Sequence, residues 1–259
     1  MKKILITGAR SGIIGNTVDK LIGRYYIYLS VHTSSQLKYV REKYKNIPNV
    51  ECLKLDITNK DDVLKVNDLD IDIYVANAAI GESGSIADIP IEKIRNNFEV
   101  NVFSNINLLQ VILKKMINKD HGKIVVIGSL AGRMPLPFLG VYASTKASLI
   151  SMMESLKLEL YLLKSDIKLS LIMPGLYETG FNKLIIDKKY DYMDIDSFFK
   201  SQIEYIRKYD SLYLKLFEMK KLSSITKKIV KAIDSDNPKF IYSAPFYQYF
   251  TSKIINLFI

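Results

Sequence analysis

The sequence predicts an α/β fold, a doubly wound parallel seven-stranded sheet with helices on both faces. Two observations predict it: short apolar runs alternate regularly with segments of helical period, and several of those runs are apolar almost throughout. Alternating strands and helices imply right-handed crossovers and a sheet covered on both sides. A third observation, a glycine cluster right after the first strand, gives the sheet a ligand-binding end.

The strands are expected at Lys3–Thr7, Tyr26–Val31, Val50–Ile57, Ile71–Ala76, Lys123–Ser129, Lys168–Met173 and Lys239–Ser243, where β-branched and aromatic residues concentrate. The clearest helices are Glu92–Met116 and Tyr142–Leu163. Residues 180–222 break the alternation, with no convincing strand and nine aromatic residues among mixed charges. An insertion of that length after a strand's carboxyl end lies where open α/β sheets bind ligands, so it reads as a helical substrate lid. The whole chain, 1–259, reads as one domain, closed by an apolar tail over 245–259.

Composition excludes several classes. At 48% hydrophobic and 25% charged residues the chain is ordinary for a globular protein. The basic opening MKKILITG has too short an apolar run for a secretory signal, and no stretch approaches the roughly 20 apolar residues a bilayer span needs. The single cysteine, Cys52, has no internal partner and falls in a strand. A cytoplasmic location is expected. The net charge of +10 is spread over scattered lysines without a nucleic-acid motif, so no nucleic-acid partner is expected. The last 80 residues carry 14 basic against 9 acidic side chains, which suits attraction to phosphates or lipid headgroups.

Thr7-Gly8-Ala9-Arg10-Ser11-Gly12-Ile13-Ile14-Gly15 joins the first strand to the first helix. Glycines in that place let backbone N–H groups approach a pyrophosphate at a helix N-terminus, the Rossmann-like arrangement. The second strand ends in Val31-His32-Thr33-Ser34-Ser35 without the acid that usually holds the adenosine ribose. With Arg10 in the turn and His32 and Thr33 beside it, a 2′-phosphate is accommodated, so NADP is expected over NAD.

Tyr142 and Lys146 lie one helical turn apart, a cation beside a phenol that can act as acid and base. Tyr39/Lys43 and Tyr249/Lys253 share that spacing, but only Tyr142 has a serine, Ser129, thirteen residues upstream at a strand end.

With these motifs in place the chain resembles the short-chain dehydrogenase/reductase family to about residue 245. The resemblance rests on the turn Thr7–Gly15, Asp56-Ile57-Thr58, Asn77-Ala78-Ala79, Asn101, Ser129, Tyr142 with Lys146, and Pro174-Gly175 with Thr179. It implies an oxidoreductase moving a hydride between a nicotinamide and a carbonyl or alcohol substrate. Tyr142 would be the acid/base and Ser129 would polarise the substrate oxygen. Lys146 would bind the nicotinamide ribose and depress the tyrosine pKa, and Asn101 would hold a water in the proton path. Asp56 and Ile57 would face the adenine, Asn77, Ala78 and Ala79 would border the cofactor, and Pro174, Gly175 and Thr179 would meet the nicotinamide.

Departures are visible. Two residues, Ile13 and Ile14, separate the second and third glycines where family members have one, which implies a longer turn or a later helix start. Ala76, Ala79 and Gly128 stand where asparagine, glycine and serine are common.

Apolar stripes over Val102–Leu113 and over Leu149, Met152, Met153, Leu156, Leu160 and Leu163 suit a homodimer or homotetramer as well as a core. The aromatic tail suits packing, a greasy substrate wall or peripheral membrane contact. The alternative to an enzyme is a dinucleotide-binding sensor or scaffold, which would need neither Ser129 nor Tyr142. A sugar-nucleotide epimerase shares the Tyr-Lys pair but carries a larger carboxyl-terminal domain.

Overall fold

The computed structural model describes residues 1–10, 12–195 and 197–255. Its seven strands are β1 (Lys3–Ile6), β2 (Tyr26–Val31), β3 (Val50–Lys54), β4 (Ile73–Ala76), β5 (Lys123–Ile127), β6 (Lys168–Pro174) and β7 (Ile241–Ala244). They pair in the order β3-β2-β1-β4-β5-β6-β7, all parallel. The order reverses between β1 and β4, so the carboxyl ends of these two strands open the crevice in which such sheets bind ligands.

Helices α1 (Gly12–Leu21), α2 (Ser34–Tyr44), α3 (Lys60–Leu64), α4 (Ile91–Phe98), α5 (Asn105–Lys119) and α6 (Gly140–Leu162) link the strands. The inserted segment forms α7 (Phe181–Lys188), α8 (Tyr190–Met193) and α9 (Ile203–Phe217), and α10 (Ser223–Asp234) leads to β7 and α11 (Phe246–Ile255). Period-two alternation divides the core. Ile4 and Ile6 face Ile14, Val18 and Ile229, whereas Leu5 faces Leu108, Ile112 and Met153 on the opposite side. All of these are essentially fully buried, each worth about 1.5–3 kcal/mol. A small third cluster, Tyr190, Met193, Ile203 and Ile206, holds the inserted helices together.

Three expected strands ran long at their carboxyl ends, β1 by one residue, β5 by two and β3 by three, whereas β6 and β7 each run one residue further than expected. The expected helix Glu92–Met116 is broken by a π-helical stretch, Glu99–Ser104. There Asn105 Nδ2 donates to the Val100 carbonyl (2.9 Å) and reaches the Ala78 carbonyl (2.9 Å), so a side chain takes over from the helix ladder.

The insertion's two ends are fastened to each other. Met219 donates to the Leu176 carbonyl and accepts from Glu178, while Asn182 Nδ2 donates to the Tyr177 carbonyl (2.9 Å) and to Glu218 (2.7 Å). From α11, Gln248 Oε1 accepts from the Leu176 N–H (2.8 Å) and its Nε2 donates to the Phe217 carbonyl (2.8 Å). Part of the apolar tail thus clamps the base of the lid. Residues 256–259 of the expected tail lie outside the described residues.

Candidate active site

Gly8 opens the turn after β1 with φ +66°, a backbone conformation that costs an L-residue roughly 1–2 kcal/mol. A Cβ there would lie 2.8 Å from Asn77 Nδ2 and 2.9 Å from Ala78 Cα, so only glycine fits. The close approach is held by the buried Thr7 hydroxyl, which accepts from the N–H groups of Asn77 (3.0 Å) and Ala78 (3.1 Å). Asn77 Nδ2 donates in return to the Thr7 and Gly8 carbonyls, both at 3.0 Å. The turn is therefore rigid before any ligand arrives.

α1 begins at Gly12, so the expected longer turn is not formed and both Ile13 and Ile14 belong to the helix. Ile14 takes the third glycine's place and buries its side chain in the core, which leaves only its backbone for a ligand. Gly15 faces Lys43 Nζ, 3.3 Å from where its Cβ would stand, away from the crevice. Gly12 lies against Thr179, 3.5 Å from its Cβ position, which brings the β6 side of the crevice to the turn. Ser11 lies outside the described residues.

Around the second strand's end, Thr33 caps α2 by accepting from the Gln36 N–H (3.2 Å) and His32 is exposed. Exposed Arg10 reaches across the turn to the Tyr39 ring of α2, 6.0 Å from its centroid. Arg10 thus lies against α2, and His32 and Thr33 lead into that helix's N-terminus, residue types that accept a phosphate. Asp56 turns its Oδ1 onto the Thr58 N–H (3.0 Å) and hydroxyl (2.8 Å), and Ile57 buries its side chain in the core. An adenine here would meet the Ile57 backbone rather than its side chain.

Beside β4, Asn97, Asn101 and Asn105 form a buried ladder at every fourth residue. Asn101 Oδ1 accepts from the Ile80 N–H (2.8 Å), and its Nδ2 donates to the Ile80 carbonyl (2.8 Å) and the Thr145 hydroxyl (3.0 Å). The Asn101 amide is thereby fully engaged in fixing the loop after β4 to α6. A void of about 10 Å³, room for one water, lies beside Lys146, and the asparagine lining it is Asn105. Asn105, which the motif reading passed over, was signalled by the ladder's spacing of four residues.

Ser129 follows β5 and caps the one-turn 3₁₀ helix Leu130–Arg133, its Oγ accepting from the Ala131 N–H (3.1 Å). At Gly128, where a serine is common, a Cβ would lie 3.2 Å from the Ile172 carbonyl, so a side chain there would press on β6. Tyr142 and Lys146 lie on the buried face of α6. Lys146 Nζ donates to the Ile127 carbonyl (3.0 Å) and stands 5.8 Å from the Tyr142 ring centroid. Phe181, the first residue of α7, meets the Tyr142 ring edge-on at 5.9 Å. The lid therefore covers the tyrosine.

Burial governs the protonation of this pair. It pushes the Tyr142 phenol up to about 12, with the Ser129 hydroxyl beside it pulling the other way. Burial also brings the Lys146 ammonium down to about 8. Against the expected depression by Lys146, burial holds the phenol above its ordinary value. Both groups are cut off from water, and the desolvation of the phenolate outweighs its neighbours.

At the nicotinamide end, Pro174 closes β6 and is buried. The close approach at Gly175 is made by Gln248 and Pro245, and the Gly175 N–H donates to the Ala244 carbonyl (2.8 Å). A side chain at position 175 would thus press on Gln248 and Pro245. Among the described residues no group of three or more His, Cys, Asp or Glu is placed to hold a metal ion.

A glycine turn at the sheet's switch point, with Ser129, Tyr142 and Lys146 gathered at the ends of β5 and α6, places the chain in the class of Rossmann-like α/β proteins. The family is then direct: residues 2–189 match the short chain dehydrogenase model, and the chain belongs to that family. It is 32% identical over 192 residues to the NADPH-dependent 3-dehydrocapnine reductase of Ornithobacterium rhinotracheale, covering 69% of this chain and 66% of that one. It is 31% identical over 184 residues to the 3-ketodihydrosphingosine reductase of Bacteroides thetaiotaomicron, covering 69% and 65%. The chain thus spans slightly less than two thirds of these relatives. In structure it is similar to a short chain dehydrogenase/reductase from Burkholderia phymatum in complex with NAD, with a TM-score of 0.81, 19% identity, and 97% and 92% of the two chains covered.

Proposed function

We propose that the chain is an NADP(H)-dependent oxidoreductase that reduces a hydrophobic carbonyl compound, with Tyr142 as the proton donor. The observation that carries this reading is the placement of the Ser129 hydroxyl, the Tyr142 phenol and the Lys146 ammonium under Phe181, across from the rigid Gly8 turn. The residues present fit a nicotinamide dinucleotide: the glycine turn and the α1 N-terminus would hold its pyrophosphate, Lys146 a ribose and Thr179 the nicotinamide side. When bound, that group supplies the hydride.

The chain's own residues supply the rest. Ser129 donates a hydrogen bond to the substrate oxygen and orients it. Tyr142 passes its phenolic proton to the same oxygen as negative charge develops there. A phenol whose pKa lies near 12 stays protonated at neutral pH, so Tyr142 carries the proton it would give up. Lys146, one turn along α6, is still mainly charged at neutral pH, and its positive charge 5.8 Å from the ring centroid steadies the phenolate left when the proton departs. The names of the two relatives, both reductases, support the direction of reduction. Phe181 above the tyrosine supports an apolar substrate. Dinucleotide binding without catalysis gives no reason to desolvate a tyrosine and a lysine together.

NADP is preferred because Arg10 lies against α2, His32 and Thr33 lead into that helix, and the second strand ends without an acid. Arg10→Ala is expected to weaken NADPH binding by about tenfold and leave NADH binding unchanged, as read by cofactor fluorescence titration. Equal losses for both cofactors would remove the 2′-phosphate assignment.

The chain is also proposed to pair with itself through α5, α6 and the π-helical stretch. Leu149, Met153 and Leu160 pack inward, but Phe103, Met152 and Leu163 are exposed. Sedimentation velocity should return a dimer or tetramer that Phe103→Glu/Met152→Glu reduces to a smaller species; a monomeric wild type contradicts it. Membrane contact through the apolar tail is proposed too, since Phe246, Phe250 and Ile254 of α11 face solvent. No helix among the described residues is long and apolar enough to cross a membrane, so such contact would be peripheral.

A further inference from the structure

The lid's outermost helix carries an apolar face that its own fold does not use. Tyr205, Tyr209, Leu212 and Leu216 of α9 recur at i, i+4, i+7 and i+11 and are 73%, 53%, 53% and 63% exposed. The helix is not simply turned the wrong way. Its opposite side buries Ile203 and Ile206, and there Asp210 accepts from Lys189 (2.6 Å) and from the Tyr190 hydroxyl (2.5 Å). Lys189 is itself buried, so this ion pair fixes α9 onto α8 in one orientation. A seated helix with a second apolar face marks an interaction surface.

That face continues onto α11. Gln248 Nε2 and the Tyr247 hydroxyl both donate to the Phe217 carbonyl at the end of α9. Phe246 and Phe250 stack at 6.3 Å and are exposed.

The chemistry of the surface selects its occupant. Tyrosines and phenylalanines are the side chains that settle at a membrane–water interface. Exposed Lys208 and Lys215 run along one edge of the α9 stripe, joined by exposed Lys220 and Lys253, with Glu204 the one exposed acid on that helix. Lysines with long stems beside an apolar stripe suit an anionic lipid surface.

We infer that the outer face of α9 docks on an anionic lipid bilayer. Because α9 packs on α7, whose Phe181 covers Tyr142, the lid itself then faces the membrane, and an apolar substrate passes from the lipid beneath it. This last step rests on the proposed reduction of a hydrophobic carbonyl; the docking does not.

The test is co-sedimentation of the full chain with phosphatidylcholine vesicles and with vesicles that also contain phosphatidylglycerol. The wild type is expected to bind the anionic vesicles, and the triple variant Tyr209→Ser/Leu212→Ser/Leu216→Ser to bind about tenfold less with α11 intact. The charge variant Lys208→Glu/Lys215→Glu should lose the preference for phosphatidylglycerol. The substituted side chains are exposed, so an unchanged thermal melt certifies the fold of each variant. Equal binding by wild type and triple variant overturns the inference, as does no binding by the wild type. A wild-type dimer that the triple variant dissolves also overturns it, because the stripe then belongs to a second copy. Vesicle binding is read without turnover, so an inactive but vesicle-bound wild type would sink the reductase reading and leave the docking standing.

Discussion

Tyr142→Phe is expected to lower the rate of NADPH-dependent reduction of a medium-chain aliphatic ketone by about 10³-fold, within the range a positioned general acid contributes. The substitution removes one oxygen and keeps the ring that meets Phe181 edge-on, so the lid retains its seat. Binding of NADPH and the KM for the ketone should therefore change little, and the loss should fall on kcat. Wild-type activity should persist to pH 9 or so, because a phenol held near 12 remains a donor across that range. A loss smaller than about tenfold would show that another group delivers the proton.

The second large effect is at Lys146, where activity and stability should part. Burial lowers its pKa from 10.5 to about 8 in the folded chain. Between those values the unfolded chain binds more protons than the folded one, so stability rises with pH across the window. Below about pH 8 the folded chain carries the full cost of a buried ammonium, on the order of 3 kcal/mol at most from a shift of this size. Tyr142 works the other way above pH 10, where the folded chain keeps a proton that the unfolded one releases. The informative range is therefore about pH 8 to 10. Lys146→Met should abolish this rise in denaturant-derived stability while cutting ketone reduction by about 10²-fold or more. Parallel stability curves for wild type and variant across that range would contradict a desolvated ammonium at Lys146.

The parts of this account that the sequence carried are those set by local pattern. Strand positions followed from runs such as Ile124–Ile127 and Leu169–Met173, whose burial on both faces leaves no polar alternation to confuse the reading. Tyr142, Lys146 and Ser129 stood out because helical spacing and a strand end are local facts. What the sequence hid depends on contacts between distant segments. The ionisation of Tyr142 is set by desolvation, to which Phe181 contributes from 39 residues away. The clamp of Gln248 on Leu176 and Phe217, and the pairing of Lys189 with Asp210, have no spacing rule to announce them. The π-helical break at Asn101 was legible in retrospect, since Asn97, Asn101 and Asn105 repeat every four residues on a face that should have been apolar.

Cofactor geometry was legible in kind and misread in detail. The unusual TGARSGIIG spacing suggested a longer turn, yet the helix starts at Gly12 and Ile14 simply fills the core where a glycine would let helix and strand approach. Packing absorbed the departure at Ile14.

The central claim is that this chain binds NADPH and transfers its hydride to a carbonyl with Tyr142 supplying the proton. The most direct test incubates the wild type and Tyr142→Phe with NADPH deuterated at the transferable position and a medium-chain aliphatic ketone, and follows the label by mass spectrometry. The account predicts one deuterium on the carbinol carbon of the alcohol for the wild type and almost none for the variant, with both proteins binding NADPH equally. Tight NADPH binding with no label transferred by the wild type to any of a panel of aliphatic and aromatic ketones would contradict it, and the chain would then be a dinucleotide-binding protein without this chemistry.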